Sequence, residues 1–331
     1  MILVTGGTGL VGRHLLLELS IQDAGLRAIY RSQDKVNEVV KFFAYAKADD
    51  RFPKIEWIQA DLTDISQLST AFERVTQVYH CAGLISFDPY QARNLRKTNV
   101  EGTANIVNLC MSNKVSKLCY LSSIATLSKL PNNPINEDNH WDPNAQNSVY
   151  GISKYGAEME AWRGTQEGLD VTIFNPGVIL GEGDYTKGSG QLFSRILQGM
   201  VYCPKGSTAF VDVKDVVHLM IQGMQENFGQ KRYIVAGNNA SYAKILSSIA
   251  QNLGVKIPRK KLSKFILHLT VKMDVISGIF SRKRKLTKAV ALSITESTLY
   301  DQTRCEATFN YKATPLDETI ARVTKHFKTL Q

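Results

Sequence analysis

One stretch near the N-terminus constrains this chain more than any other. Ile2, Leu3 and Val4 form a β-type run, Thr5-Gly6-Gly7-Thr8-Gly9-Leu10-Val11-Gly12 sets four glycines in seven positions, and Arg13 to Leu19 reads as a helix. A chain that turns this tightly from strand into helix presents backbone N–H groups at a helix N-terminus, where the helix dipole favours an anion. Gly7, Gly9 and Gly12 fit G-x-G-x-x-G, and Gly6, Gly9 and Gly12 equally fit G-x-x-G-x-x-G. Either spacing lets backbone approach a pyrophosphate. A merely structural turn is the competing reading, and the position of the glycines between strand and helix argues against it.

The rest of the first half repeats the alternation. Strands are expected at Arg27 to Tyr30, Ile55 to Gln59, Gln77 to Cys81, Lys117 to Leu121 and Val171 to Phe174. Helices are expected at Lys35 to Tyr45, Ile65 to Arg74, Asn99 to Met111 and Ser153 to Gln166. Such alternation implies a doubly wound α/β fold of Rossmann type, a parallel sheet with helices on both faces and ligands at the carboxyl ends of the strands. A chain of 331 residues exceeds the usual size of one core, so a second lobe is expected. The expected division is a dinucleotide-binding domain over 1–180, to which 205–240 returns in part, and a smaller, mostly helical, mainly substrate-binding lobe over 181–331.

Residues that follow the strands carry the chemistry. About twenty residues past the glycines, where an acid normally meets the adenosine ribose, the chain has Arg31. A guanidinium binds a 2′-phosphate that a carboxylate would repel, so NADP(H) is expected rather than NAD(H); a solvated turn arginine is the bland alternative. Asp61-Leu62 can supply a carboxylate and an aliphatic wall to the adenine, or Asp61 can cap a helix. His80 reads as a packed core histidine, while Cys81-Ala82-Gly83 ends a strand with residues small enough for close approach to a cofactor. Leu121-Ser122-Ser123-Ile124 ends a later strand, and 27 residues past Ser123 comes Tyr150-Gly151-Ile152-Ser153-Lys154. Tyr150 and Lys154, four apart, share one helical face. A neighbouring ammonium favours phenolate and brings the phenol towards working range, and a serine can hold the reacting oxygen.

Together, Thr5 to Gly12, Asp61-Leu62, the Ser123, Tyr150 and Lys154 set and Asn175-Pro176-Gly177 resemble the extended short-chain dehydrogenase/reductases over essentially the whole chain. The resemblance implies that Tyr150 is the general acid or base, that Lys154 also holds the nicotinamide ribose, that Ser123 rather than Ser122 orients the reacting oxygen, and that Asn175, Pro176 and Gly177 line the nicotinamide. The dehydratase pattern Thr-Asp-Glu is replaced by Ser122-Ser123-Ile124, and the arginine that epimerases carry before Phe210-Val211-Asp212-Val213-Lys214-Asp215 is absent. Ser86-Phe87-Asp88-Pro89 and Asn99-Val100-Glu101-Gly102-Thr103 look more like the dihydroflavonol-reductase and 3β-hydroxysteroid-dehydrogenase branch. That branch implies reduction of a ketone or aldehyde, or oxidation of the alcohol, on a bulky, often apolar substrate. Capping or packing of its own helix is the reading of Asn99. A nucleotide-sugar epimerase and a non-catalytic NADP-sensing protein are the alternatives.

The five cysteines are scattered without C-x-x-C and the six histidines have no ligand spacing, so the reading is a cytoplasmic protein with reduced thiols and no metal. The first strand begins at residue 2, which leaves no room for a signal peptide. The net charge of +10 is local: Lys256 to Lys288 holds eleven Lys or Arg and one acid, Asp274. It lacks interleaved stacking aromatics, so nucleic acid is not an expected partner. Gly181 to Tyr185 and Lys187 to Gly190 read as a flexible connection, and Tyr233 to Ala236 as a strand. Leu262, Phe265, Ile266, Leu269, Met273, Ile276 and Phe280 recur at spacings of three and four, the pattern of an amphipathic helix. It is too short an apolar run to span a membrane. The favoured reading is a lid over the substrate; contact of 259–288 with an anionic membrane surface is the second. A homodimer is the remaining partner expectation.

Overall fold

The structure, a computed structural model, describes residues 1–331 apart from 23, 129–133, 226, 227, 229, 263 and 285. The side chains of 264–266, 268, 276, 279 and 280 also lie outside the described residues, and with them the expectations for Phe265, Ile266, His268, Ile276, Phe280 and Lys285.

In chain order the first half runs β1 (Ile2–Thr5), α1 (Leu10–Leu19), β2 (Leu26–Tyr30), α2 (Gln33–Tyr45), β3 (Ile55–Gln59), α3 (Ile65–Ala71), β4 (Gln77–His80), α4 (Ala92–Leu95), α5 (Gly102–Ser112), β5 (Lys117–Leu121), α6 (Val149–Gln166) and β6 (Asp170–Pro176). The second half adds β7 (Val178–Leu180), α7 (Gln191–Leu197), β8 (Tyr202–Cys203), β9 (Ser207–Asp212), α8 (Val213–Gln225), β10 (Lys231–Val235), β11 (Asn238–Ser241), α9 (Tyr242–Leu253), β12 (Lys260–Lys261), α10 (Lys264–Ser281), α11 (Lys288–Thr295), α12 (Thr303–Phe309) and α13 (Leu316–Lys328).

Seven strands form one sheet in the order β10-β6-β5-β4-β1-β2-β3, and every neighbouring pair is parallel. Strands such as Ile2–Thr5 and Lys117–Leu121 are buried almost throughout, as a parallel sheet covered on both faces requires. One apolar layer joins the sheet to α1, α2 and α8 through Leu15, Phe43, Val217 and Met220. The other joins it to α3, α5 and α6 through Leu68, Ile106, Ala157 and Ala161. The order reverses between β1 and β4, and the crevice at that switch point is where such sheets bind ligands.

A smaller core holds β7, β9, α7, α9 and α13 together through Phe193, Phe210, Ile249, Ile320 and Phe327. The supposed flexible connection is part of it. Gly181, Glu182 and Gly183 are buried, a Cβ at Gly181 would lie 2.4 Å from the Val213 side chain, and the Tyr185 hydroxyl donates to the Val323 carbonyl at 3.0 Å. Gly181 thus permits close packing, while Lys187 and Gly188 are exposed and a Cβ at Gly188 would meet nothing within 4 Å. The helix expected to begin at Asn99 starts earlier, and Arg96–Glu101 between α4 and α5 is a π-helical turn. Such insertions reshape a helix at functional positions; this one carries Asn99.

Candidate active site

The glycine turn sits at the switch point. Gly6 has φ +71°, in the left-handed region, and a Cβ there would lie 2.6 Å from the Ala82 nitrogen. At Gly12 a Cβ would lie 2.1 Å from the Gly6 carbonyl oxygen, so the turn closes only on glycine. Gly9 is the N-cap of α1 and offers no side-chain cap, which leaves the first-turn N–H groups of Leu10, Val11 and Gly12 for an anion. Arg13, buried beneath, donates to the carbonyls of Thr8 at 2.9 Å and Gly9 at 3.3 Å. The sequence reading had no role for it; an arginine directly after the last glycine, in reach of the turn's carbonyls, was the available signal.

The end of β4 presses against this turn. Cys81 N–H donates to the Thr5 carbonyl at 3.2 Å and Ala82 N–H to the Thr5 hydroxyl at 3.3 Å. Burial pushes the Cys81 thiol up to about 12, so it packs as a thiol rather than reacting. His80 is fully buried between the hydroxyls of Thr5, 2.6 Å from Nδ1, and Thr103, 3.0 Å from Nε2. At the far end Arg31 Nη1 lies 3.7 Å from Asp61 Oδ2, both side chains well exposed. Asp61 does not cap α3; Asp64 does, accepting from Gln67 N–H. Burial acts against the Asp61 carboxylate, yet the N–H and hydroxyl of Thr63, with Arg31, hold it below the ordinary range. Leu62 is buried, and its side chain would meet a Cβ at Gly102 at 2.9 Å.

On α6, capped by Ser148, Tyr150 and Lys154 stand on one face as expected, and that face continues to Glu158. The half-buried Tyr150 phenol faces Ser123, and its ring lies 5.5 Å from Phe87, edge to face. Burial pushes the phenol up to about 12, with Ser123 drawing it down. The Lys154 ammonium points to other partners: Nζ donates to the Tyr120 hydroxyl and the Leu121 carbonyl, both at 2.8 Å. Burial brings Lys154 down to about 8, opposed by Glu158.

Glu158 was not singled out from the sequence. Its carboxylate is wholly buried and accepts from Ser122 Oγ at 2.5 Å, Thr126 Oγ1 at 2.9 Å, Asn175 Nδ2 at 2.8 Å and Arg232 Nη1 at 3.1 Å. It therefore ties β5, β6 and β10 to α6 and clamps the chain on both sides of Ser123. Ser122 is thereby spoken for, whereas among the described residues the Ser123 hydroxyl accepts from Ala125 N–H at 3.1 Å and faces Tyr150. The acid one further helical turn past Lys154 was the signal. Asn99 likewise caps nothing: it grips the Leu84 backbone through both amide atoms, at 2.7 and 3.0 Å, and donates to Ser153 Oγ at 2.9 Å. It latches the loop after β4 to α6.

At the end of β6, Asn175 donates to Glu158, Thr126 and the Ser123 carbonyl, while its Oδ1 is buried with no partner. Gly177 N–H donates to the Val235 carbonyl at 3.0 Å, and a Cβ there would lie 2.6 Å from the Ala209 carbonyl oxygen. Glycine-only turn, uncapped helix N-terminus and orphaned Asn175 acceptor along one row of strand ends fit a dinucleotide.

Fold and site thus define a dinucleotide-dependent enzyme with a Ser, Tyr and Lys constellation. The chain belongs to the NAD dependent epimerase/dehydratase family, whose profile matches residues 2–237. It is 28% identical over 262 residues to sterol demethylase protein B of Methylococcus capsulatus, covering 78% of this chain and 76% of that protein. It is 27% identical over 264 residues to a putative dihydroflavonol 4-reductase of Synechocystis, covering 77% and 73%. Among solved structures, that of gox2253 superposes with a TM-score of 0.80 over 100% of this chain and 98% of that one at 22% identity, a likeness of fold.

Two buried histidines make the fold acid-sensitive. Burial depresses His14, whose Nε2 lies 3.0 Å from the Glu182 carbonyl, to about 4, and His80 to about 3. Between those values and the ordinary 6.5 the unfolded chain binds more protons. Stability is therefore full above 6.5 and lost as pH falls towards 4 and 3, by about 3 kcal/mol for His14 alone. Denaturant midpoints should drop from pH 7 to pH 4, and His14→Gln should remove part of that slope. An unchanged slope in the variant would mean that His14 titrates alike in folded and unfolded chains.

Proposed function

We propose that the protein is an NADP-dependent extended short-chain reductase that converts a ketone or aldehyde on a bulky, apolar substrate to the alcohol, or runs the reverse. The geometry that carries the reading is Tyr150 and Lys154 four residues apart on α6, with Ser123 facing the phenol and Phe87 against its ring. A phenol pushed up to about 12 holds its proton throughout the neutral range, which suits a proton donor better than a base. Phe87, 42% exposed, packs its ring against Tyr150, an apolar wall suited to an apolar substrate. The similar proteins named for a sterol demethylase and a dihydroflavonol reductase agree with such a substrate.

A bound dinucleotide would supply the hydride. Gly6, Gly7, Thr8, Gly9, Leu10, Val11 and Gly12 would hold its pyrophosphate, Asp61 and Leu62 its adenine, and Cys81, Ala82, Gly83, Asn175, Pro176 and Gly177 the remainder. Tyr150 gives its proton to the carbonyl oxygen, Ser123 donates to that oxygen as charge develops, and Lys154 holds the nicotinamide ribose. Substrate recognition falls mainly to 181–331. Unpaired thiols at all five cysteines suit a reducing cytoplasm. Incubating the protein with NADPH and ketones, aldehydes or nucleotide sugars tests the reading. Cofactor oxidation with an apolar carbonyl is the expected result; interconversion of nucleotide sugars without net oxidation would replace it with epimerisation.

Cofactor choice rests on Arg31, whose exposed guanidinium can form charge-assisted hydrogen bonds to a 2′-phosphate. NADPH should bind at least about tenfold tighter than NADH, the effect of a charge-assisted contact worth roughly 1.5–3 kcal/mol, and Arg31→Asp should reverse the order. Equal wild-type affinities in a titration would reduce Arg31 to a surface partner of Asp61.

A further inference from the structure

The helix α10 (Lys264–Ser281) leaves described apolar side chains in solvent. Along α10, Leu267 and Gly278 are buried and Val271 and Asp274 half-buried, so they define the packed side. At 100° per residue, Leu269 and Met273 fall opposite to them, and they are 49 and 60% exposed. Val201 and Tyr202, 48 and 42% exposed, adjoin Lys260 and Lys261 through the pairing of β12 with β8. Isolated exposed apolar side chains are ordinary on a protein, whereas a stripe along a helix marks a contact surface.

Charge defines what that surface meets. Lys256, Arg259, Lys260 and Lys261 before α10, Lys272 within it, and Arg282, Lys283 and Lys288 after it are all exposed. The one acid of this stretch, Asp274, is held by Arg284 Nε at 3.0 Å. A second copy of the chain would bring like charge against like charge. An amphipathic helix with apolar centre and cationic flanks instead matches an anionic bilayer, its side chains entering the headgroup boundary and its cations meeting lipid phosphates. Among the described residues no helix is long and apolar enough to cross a membrane. We infer that the outward face of α10, with its flanking Lys and Arg residues, docks the protein on the surface of an anionic lipid bilayer.

This contact goes beyond the reaction proposed above and does not depend on it, so its test needs no substrate. The full-length protein is sedimented with vesicles of phosphatidylcholine alone and of phosphatidylcholine containing phosphatidylglycerol, at low and high salt. Binding to the anionic vesicles that weakens with salt is expected, since exposed charges are screened over roughly 10 Å at 0.1 M. Replacing Arg259, Arg282 and Lys283 with Gln should weaken it roughly a hundredfold, at about fivefold per cation near the surface. Leu269→Ser with Met273→Ser should weaken it with the charges intact. In Met273→Trp, indole emission should shift to shorter wavelength on adding anionic vesicles. The inference is overturned if wild-type protein stays in the supernatant at low salt, or if it sediments equally with both vesicle types. It is also overturned if Leu269→Ser with Met273→Ser leaves sedimentation unchanged. If that pair raises KM for a water-soluble carbonyl while the wild type ignores vesicles, the stripe serves the substrate; if it dissolves a dimer, a second copy.

Discussion

Tyr150→Phe should lower turnover by at least about a hundredfold, the contribution of a positioned general acid, while NADPH binding stays near normal. The phenol oxygen that faces Ser123 is lost, but the ring remains against Phe87 at 5.5 Å and the glycine turn lies on another strand. Turnover assay and cofactor titration on one preparation separate the two effects. Near-normal turnover would remove Tyr150 from the chemistry. The pH profile adds a second reading. Because Tyr150 is pushed up to about 12 and Lys154 brought down to about 8, Lys154 loses its proton first. The alkaline limb of kcat/KM for the cofactor, which reports the free enzyme, should therefore fall near pH 8 and persist in Tyr150→Phe.

Glu158→Ala should cost about 3–5 kcal/mol of stability, the penalty for removing one partner of a buried ion pair. Arg232 would be left without its carboxylate, and Ser122, Thr126 and Asn175 would lose the acceptor they share. Turnover of the folded fraction should fall as well, since Ser123 and Asn175 are held from this point. Glu158→Gln keeps the size and one acceptor and should lie between the two. Urea midpoints give the stability, and a loss under about 1 kcal/mol for Glu158→Ala would show that the cluster relaxes around the gap. The double change Glu158→Leu with Arg232→Met should cost less than the sum of the single ones, because neither charge is then stranded.

The parallel sheet was legible because its strands are continuous apolar runs and its helices carry a different period; Lys117–Leu121 and Ile55–Gln59 fall where the pattern put them. The glycine turn was equally legible, since strand, φ > 0 turn and helix N-terminus are local and each glycine answers a local constraint. Tyr150 and Lys154 share a face because four residues make about one helical turn. Sequence alone thus determined the sheet, the glycine turn and the shared face of Tyr150 and Lys154, all of them consequences of short-range geometry.

Tertiary structure decided the rest, because partners distant in the chain have no spacing to read. Glu158 meets Arg232 across 74 residues and Asn175 across 17. His14 meets Glu182 across 168. The Lys154 ammonium turned from Tyr150 to Tyr120 because β5 brings a hydroxyl and a carbonyl within 2.8 Å of it. The amphipathic period of α10 was in the sequence, but a period fixes only that a helix has two faces. Which face packs inward depends on what the chain sets beside it, and here Leu267 and Gly278 pack while Leu269 and Met273 remain in solvent.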